Sequence, residues 1–237
     1  MEGKYFVVGI VAAALIVVLG LIYLNSPSSG QTVSASGSSI IEASPDKVVI
    51  YFEAKATKNS AEDARDEIAK IVENLEIAML NLVEEENIET QSYNIYEEYD
   101  WTSNPRIFKG YTANQVIKIS SENFSDAGEI VDAGVDAGAL VQYINFELTT
   151  EHENELKVQA LEEASQDAKL KAEATAKGLG AKLGKIVSVS SSDFYYYPYR
   201  YFDATASEGQ TAPEVATNLQ PKKLEINAYV SVMYALK

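Results

Sequence analysis

The chain has 237 residues, a net charge of −16, 46% hydrophobic and 23% charged residues, no cysteine and a single histidine, His152. This length and composition suit one folded domain, or two small halves packed together. A surface this acidic repels phosphate backbones and anionic headgroups, which argues against nucleic acid as a partner. It favours solubility, cationic partners or loosely held metal ions, and its plainest reading is a solvated acidic face. Without cysteine there are no disulfides, thiolate catalysis, zinc–thiolate sites or lipoprotein acylation. One histidine excludes three-histidine zinc sites and triads that need a second imidazole.

In chain order, Tyr5–Leu24 comes first, twenty residues without a charge. At ~1.5 Å per residue it spans ~30 Å, the thickness of a bilayer core. Tyr5 and Tyr23 sit at its ends, where amphipathic rings favour the interface. Secretory h-regions are about 7–15 residues, so the segment reads as an uncleaved anchor; the rival is a signal peptide cut near Val33-Ser34-Ala35. Lys4 precedes the segment and no Lys or Arg follows until Lys47. That asymmetry predicts a single-pass cell-membrane protein with its C-terminal domain extracytoplasmic. Residues 1–24 are thus the expected transmembrane anchor and 25–37 a Ser/Gly-rich tether that turns into a strand near Thr32. Residues 38–237 form the domain.

Val48, Ile50, Phe52, Ala54 and Ala56 alternate with more polar neighbours and predict a strand. Ser60 with Asp63 opens a helix with the stripe Ala64, Ile68, Ile71, Leu75, Met79 and Leu82. A strand follows over Ile88–Tyr99, then a turn at Thr102–Arg106 and a strand through Tyr111, Ala113, Ile117 and Ile119. A short helix at Ser125–Asp136 stops at Gly138. Ile144, Phe146 and Leu148 mark the next strand. A long helix over Glu153–Leu179 has Ala160, Ala164, Ala168, Ala172 and Leu179 on one side, its end marked by Gly178, Gly180 and Gly184. Ile186–Ser190 and Leu224–Tyr234 close the chain as strands. The fold class predicted is α+β. A β-α-β-β unit is duplicated over residues 47–120 and 140–236, forming a mostly antiparallel sheet with two long helices on one face, preceded by the transmembrane helix.

Two aromatic turns stand out. The first carries Tyr93, Tyr96, Tyr99 and Trp101 among Glu97, Glu98 and Asp100, and packing on strand neighbours accounts for it best. The second is Phe194–Phe202, seven aromatics in nine residues, more than one strand end buries. Tyr96, Tyr99, Trp101, Tyr195, Tyr196, Tyr197, Tyr199, Tyr201 and Phe202 are therefore the expected contact surface. The turn and the stretch after it, residues 193–218, read as exposed and long for a hairpin connection.

Candidate chemistry is sparse. Ser44-Pro45-Asp46-Lys47 spells S-x-x-K, but Pro45 and the following β-run make it a turn into a strand, and the S-D-N and K-T-G partners are missing. The glycines after the long helix follow it, whereas phosphate cradles precede one. Asp132–Gly138 only echoes a calcium loop. Glu151-His152-Glu153 is either part of a surface metal site or a helix-start cluster of carboxylates, the second being favoured by the helix dipole. Asn123-Phe124-Ser125 is both a glycosylation sequon and a helix cap. No nucleophile–base pair emerges, so no catalytic residue, metal ligand or cofactor site is expected and the reading is of a non-enzyme.

The order and spacing of several segments resemble the SIMPL-domain family of bacterial envelope proteins. They are Thr32–Gly37, the Ser44-Pro45-Asp46 turn into Lys47–Ala56, Ile88–Tyr99, Gly110–Asn114 with Gln115–Ile119, Asp132–Ala139, Ala164–Leu179 and Leu183–Ile186. The resemblance implies an envelope α+β domain that self-associates as a homo-oligomer and acts in envelope integrity or stress tolerance, with no catalytic residues to carry over. The retained anchor and the tyrosine-rich second turn depart from the common pattern. The leading expectation is a structural or interaction protein of the envelope, its partners the membrane, its own copies and an envelope protein or glycan. A glycan- or peptide-binding module using the aromatic turns is the alternative, and an enzyme acting on envelope polymers is more distant.

Overall fold

The computed structural model describes residues 31–191, 194–203 and 221–237, with no side chains at 202 and 203. The expected anchor Tyr5–Leu24 and nearly all of the loop after the second aromatic turn lie outside the described residues. Among the described residues no helix is long and apolar enough to cross a membrane.

In order the elements are β1 (Thr32–Ala43), β2 (Lys47–Lys58), α1 (Ala61–Met79), β3 (Ile88–Asp100), β4 (Ile107–Ser121), α2 (Ala127–Asp136), β5 (Leu140–Glu147), α3 (Thr150–Gly178), β6 (Leu183–Ser191), β7 (Tyr195–Tyr196), β8 (Tyr199–Asp203) and β9 (Leu224–Leu236). The fold is α+β. The order strand, long helix, strand, aromatic stretch, strand occurs in both halves, with the short β7 and β8 added in the second. The strands form two sheets rather than one. The first has the order β3-β4-β2-β5-β8, and the second has β1-β9-β6, with β7 also on β9. The pairings from β2 to β9 given by register are antiparallel.

The chain divides into two compact units. The larger comprises Ser39–Glu163 and the described residues between Ser192 and Tyr229. Its core lies where α1 and α2 meet the five-stranded sheet: Ile50, Phe52, Ile117, Ile119, Ile144 and Phe146 from strands, with Ile68, Leu75, Met79 and Ile130 from helices. Ser60 caps α1, its hydroxyl accepting from the Asp63 N–H at 3.1 Å and donating to the Asp63 carboxylate at 2.7 Å. The buried stripe of α1 is Ala64, Ile68, Val72, Leu75 and Met79. Val72 thus takes the inward place expected of Ile71, which is half-buried at the flank, and Leu82 falls beyond the helix. A Cβ on Gly134 of α2 would overlap the Phe52 ring, so glycine lets that helix lie directly on the aromatic face. Gly138, at φ +92°, then ends α2, with the Ala139 N–H returning to the Gly134 carbonyl.

The smaller unit comprises the described residues up to Ser38, Ala164–Ser191 and Val230–Lys237. Here α3 presents Ala164, Ala168, Ala172 and Ala176, all buried. A Cβ on Gly37 of β1 would overlap the Ala164 carbonyl and the Ala168 backbone, so strand and helix touch main chain to main chain. The Ser38 N–H and the Lys171 ammonium both donate to Asp167, at 3.0 and 2.7 Å. Burial opposes but does not outweigh these donors, chiefly Lys171, and the carboxyl is held below its ordinary range. Gly180, at φ +73°, stops α3: its N–H bonds the Lys177 carbonyl and the Ala181 N–H reaches Ala176. Leu179, expected on the inner side, is exposed because it falls at this cap. Gly184 does not mark the helix end; it sits inside β6, where a Cβ would lie 2.6 Å from the Ala235 carbonyl oxygen.

Candidate functional site

The expected contact surface divides. At the β3–β4 tip, Tyr99 is half-buried and packs edge-on against Phe108 (ring centroids 5.4 Å apart) and Trp101 (6.3 Å). Trp101 is 71% exposed, with the Arg106 guanidinium 4.8 Å from its ring centroid. Ile107, Phe108 and, on β3, Tyr96 are also exposed. The Tyr99 hydroxyl donates to Glu97 at 2.7 Å, a bond that raises its pKa. This first turn is therefore an aromatic cluster that packs on itself and leaves its apolar tip uncovered.

The second turn is split between two sheets. β7 pairs with Asn227 and Ile226 of β9, while β8 pairs with β5. Pro198, with no N–H to give a ladder, lies between them. Tyr199 and Tyr201 are half-buried against Phe146, at 6.4 and 5.3 Å, and belong to the edge of the core. Tyr196 is half-buried; burial raises its pKa, and its hydroxyl accepts from the Leu148 N–H at 3.5 Å. Tyr195 and Tyr197 remain exposed, Tyr197 at 79%. Of Phe202 only the backbone is described, paired with Ile144. Strand pairing thus buries part of a run that composition alone makes look uniformly exposed.

A second candidate lies in a groove of about 750 Å³ in the larger unit. Its walls come from the start of β2, the β3–β4 pair and the first turn of α3. The Asp46 carboxylate accepts from the Thr149 N–H at 2.7 Å, the Thr149 hydroxyl at 2.8 Å and His152 Nδ1 at 2.9 Å. Partial burial pushes the Asp46 pKa up, but the Thr149 and His152 donors outweigh it and hold the carboxyl below its ordinary range. His152 is thus held through Nδ1. Across the groove Lys118 bonds Glu89 at 3.1 Å and Ser120 donates to Asn87 at 3.1 Å.

Nothing in the sequence groups the two halves of this clip. Asp46 sits in the turn and His152 in the helix start that the sequence predicts, but the two lie 106 residues apart. The Thr149 hydroxyl already donates to Asp46 and accepts from the His152 N–H at 3.3 Å. The arrangement therefore fastens the start of β2 to the start of α3, and offers one oriented imidazole nitrogen for hydrogen bonding. Among the described residues no three His, Asp or Glu side chains gather to hold a metal ion. Asn123 accepts from the Ser125 N–H and hydroxyl, serving as the helix cap that is the alternative to a glycosylation site.

Comparison with known proteins agrees with the resemblance in the sequence. The SIMPL profile, described as a protein of unknown function (DUF541), matches residues 33–234. An uncharacterized protein, YggE of Edwardsiella ictaluri (strain 93-146), is 23% identical over 212 residues, covering 87% of either chain. The chain belongs to the SIMPL family.

Proposed function

We propose that this SIMPL-domain chain is a membrane-anchored, extracytoplasmic protein with a non-catalytic structural and interaction role at the cell envelope, where it self-associates and supports envelope integrity or stress tolerance. The carrying observation is the uncovered apolar surface of the β3–β4 tip, where Trp101, Ile107 and Phe108 stand exposed together. Apolar side chains gathered on a surface are characteristic of contact sites. The uncharged segment Tyr5–Leu24 supports the anchor, and the lack of Lys or Arg between it and Lys47 supports the orientation. Protease added to intact spheroplasts should remove the domain while a cytoplasmic control survives. Survival of both places the domain inside, and a mature chain beginning near Ser36 removes the anchor.

A second reading, a glycan- or peptide-binding module, is favoured by one observation: the exposed Trp101 ring, an aromatic surface with the Arg106 guanidinium over it, of the kind on which sugars stack. Trp101 is the single tryptophan of the chain, so its emission reports occupancy directly. Titration with envelope glycans or peptides should leave the emission unchanged under the first reading. A saturable shift promotes the second.

A further inference from the structure

β3 ends the five-stranded order and β6 ends the other sheet, and neither has a strand beyond it among the described residues. Bare edges of this length are templates for pairing, and proteins usually blunt them with inward charge or cover. These two are uncovered in the same way. Ile95 of β3 is in register with Ala113, which is fully buried, yet Ile95 is 39% exposed. Val189 of β6 is in register with buried Val232, yet Val189 is 58% exposed. In each sheet the buried side continues one strand further and runs out with nothing over it among the described residues. Tyr93 and Tyr96 on β3, and Ile186 and Val187 on β6, are exposed as well. On β3 a regular stretch, Ser92–Glu98, lies between two register shifts, and on β6 the regular stretch Ser188–Ser191 runs from a register shift to the strand end. Ile95 and Val189 fall inside these stretches, where the backbone can still pair.

The two edges differ in charge. β3 holds Glu89, Glu97, Glu98 and Asp100 and no base. β6 holds Lys185 and no acid, with Lys182 just before it, and both lysines are exposed. In a chain of net charge −16, pairing β3 with β3 sets acid against acid, and pairing β6 with β6 sets base against base. Pairing β3 with β6 sets acid against base. We infer that β6 of one molecule pairs edge to edge with β3 of a second copy of this chain. The inference rests on the self-association proposed above and adds a strand-edge contact to the apolar tip. Main-chain hydrogen bonds give the contact its strength, and Ile95 and Val189 lose their exposure in it. The contact is heterologous: the pair keeps one free β3 edge and one free β6 edge, on different molecules, so assembly continues beyond a pair.

The test uses the full chain in nonionic detergent, with Val189→Lys blocking β6 and Ile95→Lys blocking β3, followed by sedimentation velocity. Each variant should weaken association at least about tenfold, with an unchanged circular-dichroism spectrum. Mixed together, the two should form a one-to-one pair, because each supplies the edge the other lacks. As a second arm, Lys185→Glu should weaken association and Glu97→Lys in the partner copy should restore it. This arm also decides the matter if a blocking variant misfolds. A wild-type chain that stays monomeric overturns the self-association reading and this inference with it. Wild-type assembly that survives both blocks, or that is lost in only one of them, overturns the β3–β6 contact and leaves self-association standing. Failure of the mixed variants and of the charge-reversed pair to associate overturns it as well.

Discussion

The two long helices cover strands in different ways. α1 buries Ile68, Val72, Leu75 and Met79, which interlock with Phe52, Ile117 and Ile119. In the smaller unit α3 buries only alanines, at 164, 168, 172 and 176, and lies so close to β1 that Gly37 has no room for a Cβ. The first is a side-chain interface, filled by volume. The second is a backbone interface, set by the absence of volume. The same architecture therefore meets substitution with opposite sensitivities: α1 suffers from charge and from lost atoms, α3 from any added atom.

The largest effect expected is from Leu75→Asp. Leu75 is fully buried, and an unpaired carboxylate there costs several kcal/mol, enough to unfold the domain. Ile71→Asp should cost distinctly less, because the half-buried flank lets the carboxylate reach water. Equal losses in urea denaturation would show the helix face to be wrongly placed.

Next come the substitutions that separate the two interfaces. Ala168→Leu should cost about 1–3 kcal/mol by overpacking, whereas Met79→Leu, which conserves volume, should stay under about 1.5 kcal/mol. Similar tolerance at both positions would erase the distinction between a filled and an emptied interface. Gly37→Val should be worse than Ala168→Leu, since the clash is with main chain.

A smaller, pH-dependent effect is expected at Asp46. Its pKa is depressed below the ordinary 3.8 by Thr149 and His152 against the opposing pull of burial. The stabilisation is therefore fully present above pH 3.8 and is lost as pH falls through the lower folded value. Asp46→Asn should lower the melting temperature at neutral pH and flatten the acid limb of stability against pH. An unchanged acid limb would remove Asp46 from that account. Smallest of all is Glu73→Lys on the exposed side of α1, at roughly 0.5 kcal/mol or less.

What the sequence revealed follows from what is local. Alternation gave β2 and β9, helical spacing gave α1 and α3, and the left-handed glycines at 138 and 180 stand where helix stops were expected. Ile71 and Val72 differ by one step around the helix, and only the direction from which the sheet approaches chooses between them. Leu179 looks like a core residue by type, but the backbone turn at Gly180 decides its exposure. The meeting of Asp46 with His152, the division of the tyrosine run between two sheets and the identity of the bare edges all depend on strand order. Strand order is set by contacts far apart in sequence and leaves no periodic trace.

Light scattering of the full chain in detergent across a concentration series tests whether this domain associates with its own copies. Self-association gives a protein mass that is a multiple of one chain and that rises with concentration. A mass of one chain at every concentration, in low and high salt alike, would contradict it.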